Sequence, residues 1–453
     1  MTSWFILFRF GFEERVVTIL AMNQLRAGLF VCLILAVSGA LADVNPAPPQ
    51  IPERVFKLTD FGGVGDGKTL NTDAFKNAIA AVSAAGGGQL DVPAGIFLTL
   101  PFTMVSKLDL HLEPDATIQF PADLTVYGLN AADQGITRDQ QQAVATKYPS
   151  LIMGNDLTDV AITGSGTIDG GGSVWWGPLD KISRAGWRGY PPPKLIILTN
   201  VKRLHVQGVT LSNSPRYHLV PTLCSDVLVE DVNIHSPPDS PNTDGIDPIG
   251  SHDVVIRHCQ LDEGDDNVAI KAIPGPTYNI VVEGCQCLHG HGISIGSETY
   301  QGIHDVTVVN CTFDGTTNGV RIKSARDRGN QLYNFTFTNM TLTNVTNVIS
   351  MNMYYEDSIE MKNRAAKPIT SHTPFLHDVH VEHLQATNCV NAGEITGLPE
   401  SPITNVTLDD VSISAEKGLT ATDAKDVVFN NVTITPAAGD PLTTKFADVQ
   451  WNK

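Results

Sequence analysis

From residue 157 onward one short phrase returns along the chain: an Asn or Asp, an alternating apolar run, a polar pair, and a second short alternating run. It reads Asp226-Val227-Leu228-Val229, Asp253-Val254-Val255-Ile256, Asn279-Ile280-Val281-Val282, Asp305-Val306-Thr307-Val308 and Asn334-Phe335-Thr336-Phe337, with earlier copies at Asp159 and Arg203 and later ones at Asp378, Asn405 and Asp426. The central anchors lie 27, 26, 26 and 29 residues apart. That spacing is too regular for unrelated loops and too short for strand-helix-strand units. Each phrase suits a strand of four or five residues with β-branched inward positions, then a turn and another strand. Nothing between the phrases reads as helical. Short strands alone cannot bury an apolar face, so successive copies must stack. The predicted fold is all-β: a single-stranded right-handed parallel β-helix.

Cys259, Cys285 and Cys311 occupy the same place in three consecutive phrases, 26 and 26 residues apart, so they should form one column of stacked side chains. With Cys224, Cys287 and Cys389 they are too few for a disulfide scaffold in a chain this long, and no zinc-ligand spacing accompanies them; buried small side chains are the expected role. Thr72 and Asp73 open a stretch with Phe75, Ala78, Ile79 and Val82 on one helical face, ended by Gly86-Gly87-Gly88. This short N-terminal helix should cap the open end of the solenoid. Gaps of 44 residues, from Asp159 to Arg203 and from Asn334 to Asp378, imply loops inserted into single coils. The first holds Trp175, Trp176, Trp187, Arg188, Tyr190 and Pro191 to Pro193, a set that could wall a sugar site or pack on itself. The Asn-x-Thr sequons at Asn310, Asn334, Asn339, Asn344, Asn405 and Asn431 mostly fall inside the repeats, where Asn and Thr serve turns and ladders; they are not read as glycosylation signals.

Residues 1–42 stand apart. Arg26, the apolar run Ala27 to Val37 and Ala40-Leu41-Ala42 have the form of a secretory signal peptide with cleavage near Ala42, and the run is short for a membrane span. Met1 to Ala21 has no assignable role, and Met22 is an alternative first residue. Residues 43–453 are then one catalytic β-helical domain, secreted to the periplasm or the exterior. The chain carries 30 Lys and Arg against 48 Asp and Glu, a net charge of −18. Such a balance repels nucleic acid phosphates and anionic membranes. A polyanionic substrate could still bind at a locally basic site.

Four consecutive coils place a polar group just ahead of a short strand: Asp244 before Gly245-Ile246, Asp266 before Asn267-Val268, His291 before Gly292-Ile293, and Asn318 before Gly319-Val320. Intervals of 22, 25 and 27 residues are one coil each. Strands stacked about 4.8 Å apart would align these groups in one file on the outer surface, with Asp265 beside it. In the last strand Val320 and Ile322 point inward, so Arg321 and Lys323 point out. Three close carboxylates cannot all ionise cheaply. One that keeps its proton can protonate a glycosidic oxygen while another activates water, and the two cations suit the carboxylate of an acidic sugar.

Asn242-Thr243-Asp244, Gly264-Asp265-Asp266, Gly290-His291-Gly292 and Arg321-Ile322-Lys323 resemble, in order, the four motifs of polygalacturonases in glycoside hydrolase family 28. Asp60-Phe61-Gly62, Gly65-Asp66-Gly67 and Gly86-Gly87-Gly88 resemble the family's opening segment, and the likeness reaches Tyr355-Glu356. It implies inverting hydrolysis of 1,4-linked α-galacturonosyl bonds in pectin or polygalacturonate. Asp265 would be the general acid, Asp244 and Asp266 would hold the attacking water, and His291 would support the proton balance of the acid. Asn242 belongs to the first motif at the substrate side, Arg321 and Lys323 would bind substrate carboxylate, and Tyr355, or its neighbour Tyr354, would line the adjoining subsite. Asp265 should keep its proton to higher pH than an isolated Asp, while Asp244 and Asp266 stay ionised.

No metal or cofactor is implied, and the expected partner is an acidic polysaccharide bound by a monomer. The competing readings are a calcium-dependent pectate lyase, a rhamnogalacturonan hydrolase on the same fold, and a non-catalytic carbohydrate-binding β-helix. Unsaturated, chelator-sensitive products would mark the first, and binding without turnover the last. The Arg321 and Lys323 pair argues against the second, because it suits uniformly acidic sugars.

Overall fold

The first residue of every phrase shows why Asn and Asp recur there. Asp159, Arg203, Asp226, Asp253, Asn279, Asp305, Asn334, Asp378, Asn405 and Asp426 all have φ between 53° and 62°. This left-handed conformation costs most L-residues about 1–2 kcal/mol and is tolerated best by Asn and Asp. It turns the chain at a corner of each coil. The side chains also bond from coil to coil: Asn279 Nδ2 donates to Asp253 Oδ1 at 2.9 Å, and Asn334 and Asn405 donate likewise to Asp305 and Asp378. Arg203 departs from the Asn/Asp pattern and is held by a two-pronged bond to Asp159 one coil earlier, at 2.6 and 2.9 Å. The sequon residues belong to the same system. Asn310, Asn339, Asn344 and Asn431 have positive φ, and Asn339, Asn344 and Asn431 donate to Asn310, Asp314 and Asp410 of the preceding coil.

The computed structural model describes residues 44–129, 138–176 and 192–452. The proposed leader and its cleavage site lie outside these residues. Each central coil has three short strands, for example His252–Arg257, Gln260–Asp262 and Val268–Ile270, followed one coil on by Thr277–Glu283, Gln286–Cys287 and Ile293–Ile295. All pair in parallel and in register. Val227 lies beside Val254, then Ile280, Val306, Phe335 and Val379; on another face Val268 is followed by Ile293, Val320 and Ile349. The result is a right-handed parallel β-helix with its core along the axis.

Because register repeats, like residues stack in columns. Cys259, Cys285 and Cys311 are fully buried free thiols immediately before the aligned Gln260, Gln286 and Thr312, as the spacing predicts. Their sulfurs approach carbonyls of the preceding coil, Val229, Ile256 and Val282, at 3.7–3.9 Å. On the outer surface His252, Tyr278, His304, Tyr333 and His377 stack ring on ring with centroids 4.8–5.3 Å apart and planes within 12°.

The predicted N-terminal helix spans Thr72–Ala84 and buries Thr72, Ala74, Phe75, Ala78, Ile79 and Val82. Phe75 stacks on Phe102 of the first coils at 4.8 Å. One expectation fails: the second long gap contains a short helix, Ser358–Asn363, N-capped by Asp357, which accepts from Glu360 N. It was missed because six residues give no readable helical period. A further helix, Arg138–Lys147, precedes the repeats. Among the described residues no helix is long and apolar enough to cross a membrane.

The corner chemistry generates a stability prediction. Asn279→Ala should lose about 2–3 kcal/mol, from left-handed strain plus one hydrogen bond, while Asn279→Gly should lose only about 1 kcal/mol because glycine removes the strain. Denaturant unfolding checks this, and equal losses for the two variants would contradict the corner account.

Candidate active site

Asp244, Asp266, His291 and Asn318 each stand two residues ahead of Ile246, Val268, Ile293 and Val320, and those four positions are aligned across neighbouring coils. The predicted polar file is therefore present. Backbone bonds fix it: Gly245 N donates to Asp266 O at 2.9 Å and His291 N to Asp265 O at 2.8 Å. Gly292 has φ +81°, and a Cβ there would lie 2.1 Å from Asn318 O, so the bend that presents His291 requires a residue without a side chain.

Asp265 is the most accessible of the three predicted carboxylates, its side chain 21% exposed against 4% for Asp244 and 2% for Asp266. Its Oδ1 lies 3.0 Å from His291 Nδ1, and Asn242 Nδ2 donates to its Oδ2 at 3.3 Å. Asp266 is locked differently. Arg321 and Ser294 donate to Oδ1 at 2.6 and 2.8 Å, and Lys323 donates to Oδ2 at 2.6 Å. Each of the two cations expected to meet substrate carboxylate also bonds this enzyme carboxylate, Arg321 through Nη1 alone and Lys323 through one of its three donors, so both keep donors toward the groove. Asn318 continues as a structural ladder through Asn347 to Asn391.

The two tyrosines separate cleanly. Tyr355 is partly exposed, with its ring 5.0 Å from Lys323 Nζ and 5.9 Å from the Arg321 guanidinium. Tyr354 is buried and stacks with Arg326. Beside Tyr355 opens a groove of about 540 Å³, lined by Arg321, Lys323, Ser350, Asn352 and Glu394 among others.

Several residues not singled out in the sequence complete the cluster. Lys271 Nζ donates to Asp247 Oδ2 at 2.6 Å and to Asp244 Oδ2 at 3.2 Å, all three being buried. With Val268 and Ile270 inward, the parity that exposed Arg321 and Lys323 applies equally to Lys271. His218 is wholly buried. Its Nδ1 donates to Asp244 O at 3.1 Å, while its Nε2 accepts from Ser236 Oγ at 3.0 Å, an arrangement for neutral imidazole. Burial accordingly pushes it down to about 4.

The predicted order of proton affinities is reversed between Asp265 and Asp244, while Asp266 stays ionised as expected. Burial, with the charges of Asp247, Asp265 and Asp266, holds the Asp244 carboxyl well above its ordinary range despite Lys271. Burial also pushes Asp265 up, but the hydrogen bond and charge of His291 outweigh it and leave the carboxyl below its usual value. At Asp266 burial is again opposed, by Lys323 and Arg321, and the carboxyl ends far below the ordinary range. Sequence showed three neighbouring acids but not that two cations would neutralise one of them. Asp244, Asp247, Asp265 and Asp266 face the fixed cations Lys271, Arg321 and Lys323, so balance within this set calls for one further proton, on Asp244 or on the Asp265–His291 pair.

Asp265, Asp266 and His291 could offer one atom each to a metal within 4.8 Å of one another. Calcium, however, asks for six to eight oxygen ligands, and both Asp266 oxygens already accept from cations. The donor set fits a proton better than a hard cation. Of the aromatic insertion, Trp175 is buried edge-on to Tyr127 at 5.2 Å and Trp176 Nε1 donates to Ser214 O at 3.1 Å, so both pack inward. Trp187, Arg188, Tyr190 and Pro191 lie outside the described residues.

A parallel β-helix presenting an accessible carboxyl bonded to imidazole, beside buried acids of opposite proton affinity, has the parts of a glycoside hydrolase. The chain belongs to glycosyl hydrolases family 28, whose model matches residues 88–428. It is 33% identical over 403 residues to a probable polygalacturonase of Vitis vinifera, covering 85% of this chain and 80% of that one. An exopolygalacturonase of Zea mays is 30% identical, with 86% and 92% covered. Among solved structures, the hyperthermoactive exopolygalacturonase from Thermotoga maritima superposes with a TM-score of 0.71 at 27% identity, over 88% of this chain and 95% of that one.

Asp247, raised by burial to about 6, supplies a pH prediction. A carboxyl that holds its proton more tightly when folded contributes stability that is full below its unfolded value near 3.8 and is lost as pH rises through about 6. Asp247→Asn should therefore flatten the fall in unfolding free energy between about pH 4 and 6. An unchanged slope in denaturant titrations would contradict the assigned environment.

Proposed function

We propose that this enzyme hydrolyses 1,4-α-galacturonosyl bonds of polygalacturonate with inversion, using Asp265 as general acid and Asp244 with Asp266 to hold and deprotonate the attacking water. The observation that carries the assignment is the contrast in access: Asp265 is the most exposed of the three, and it is bonded to His291. The Asp265 carboxyl gives its proton to the glycosidic oxygen as the bond from C1 to that oxygen breaks. Water adds to C1 from the opposite side and leaves its proton on the Asp244–Asp266 pair. Asp244 Oδ1 is buried and makes no hydrogen bond among the described residues, which leaves it an unpartnered acceptor for that water. Asp266, held ionised by Arg321 and Lys323, stabilises positive charge developing at C1. Tyr355 lines the neighbouring subsite.

Asp265 must be protonated at the moment of reaction although His291 lowers it in the free enzyme. A polyanionic substrate resolves this, because its carboxylates add negative charge beside Asp265 and draw the shared proton from the imidazole toward the carboxyl. The alkaline limb of kcat should accordingly lie at higher pH than that of kcat/KM. Asp265→Asn should lower turnover on the order of 10²- to 10⁴-fold while oligogalacturonide still binds. Near-normal turnover in that variant, or limbs displaced in the opposite sense, would remove Asp265 from the acid role.

The leader-like segment supports export of the enzyme. N-terminal sequencing of protein recovered outside the producing cell should begin at or near Asp43; a retained hydrophobic segment on a membrane-bound product would refute it.

A further inference from the structure

Arg321 and Lys323 share their charge with Asp266, and an acidic polymer spanning several subsites meets further cations along the same file. The file of catalytic groups continues toward the N-terminus. Leu219 is aligned with Ile246 and Ile196 with Leu219, so Tyr217 and Lys194, each two residues ahead, extend the line that runs through Asp244, Asp266 and His291. Three cations surround the Tyr217 ring: Lys271 at 4.2 Å, Arg216 at 4.4 Å and Lys194 at 5.5 Å. Lys271 belongs to the acid cluster. Neither Lys194 nor Arg216 forms an ion pair among the described residues; the Arg216 guanidinium donates only to the Tyr217 hydroxyl, at 3.0 Å. Two adjacent, partly covered cations without a carboxylate are unusual in a chain with net charge −18. Burial, aided by Arg216, presses the Lys194 ammonium down to about 8 against the opposing charges of Asp247 and Asp244, neither of which pairs with it directly.

The opposite end of the groove has the other sign. Going toward the C-terminus, Arg321 is followed in register by Ser350 and then Glu394. The Glu394 carboxylate accepts from Asn352 at 2.8 Å and from Thr396 at 3.0 Å and has no cation beside it among the described residues. An acidic sugar is favoured at the Tyr217 end and disfavoured near Glu394.

We infer that Lys194, Arg216 and Tyr217 form a second carboxylate-binding subsite, which takes an acidic sugar residue on the N-terminal side of the catalytic cluster. The guanidinium of Arg216, held by the Tyr217 hydroxyl, supplies directed donors, and Lys194 supplies a point charge. This rests on the substrate reading given above and adds the direction in which the polymer lies.

The test uses Asp265→Asn protein, titrated calorimetrically with oligogalacturonides from dimer to hexamer and with the same oligomers after methyl esterification. Lys194→Gln and Arg216→Gln should each weaken the longer acidic oligomers on the order of ten- to a hundred-fold, spare the shortest and the esterified ones, and be largely rescued by Lys194→Arg at the first position. The length dependence of kcat/KM with Asp265 intact gives a second reading of the same effect. Unchanged affinity in folded variants, or equal weakening of acidic and esterified ligands, would overturn the subsite. If the unmodified enzyme binds acidic oligomers but does not cleave them, the hydrolytic reading fails while the length series still judges the subsite. Binding of no acidic oligomer would end both.

Discussion

Everything in this molecule depends on parallel strands bonding in register from one coil to the next. A parallel ladder transmits position without drift: once Val254 is beside Ile280, the residues on either side are placed as well. The left-handed corners keep the register from slipping, since a one-residue shift would move an Asp or Asn out of the only conformation the corner accepts and turn every inward side chain outward. Groups supplied by chain segments more than fifty residues apart, such as Asp266 and Lys323, therefore meet at 2.6 Å without any loop being asked to hold them. A rigid scaffold of this kind suits catalytic groups that must be held closely in place.

Electrostatics then divides the labour among chemically identical side chains. Asp244, Asp265 and Asp266 have the same carboxyl and three different environments: one buried with too few cations, one accessible and shared with an imidazole, one clamped between an ammonium and a guanidinium. Water is largely excluded from the first and third, so the surrounding charges act at short range with little screening. The protein spends its cations on its own acids. This favours fixed charge states before substrate arrives.

Much of this was legible in the sequence, and the limits have physical causes. The strands, coil length, cysteine column and capping helix follow from periodicity, which is local and repeated. The catalytic file was legible for the same reason, one polar group per coil at a constant place. Asp247 and His218 were not, because a lone Asp or a His after Arg-Tyr carries no signal until the neighbouring coil is laid against it; Lys271 was open to the same strand parity as Arg321 and Lys323 and was missed. The relative proton affinities of Asp244 and Asp265 failed for a related reason: sequence revealed the crowding of Asp244, Asp265 and Asp266, but not that Lys323 and Arg321 would turn to Asp266 while His291 turned to Asp265. Tyr354 and Tyr355 could be told apart only once their burial was known.

The proposed catalytic groups come from consecutive coils in the interior of the stack, none from a terminal one. In a linear array, cooperativity runs between nearest neighbours, and disorder enters most readily at the ends. The site is accordingly insulated by the turns on either side, which can loosen without disturbing it. Loss of catalysis on heating then reports melting of the middle of the column, and a spectroscopic signal averaged over all strands would begin to change first.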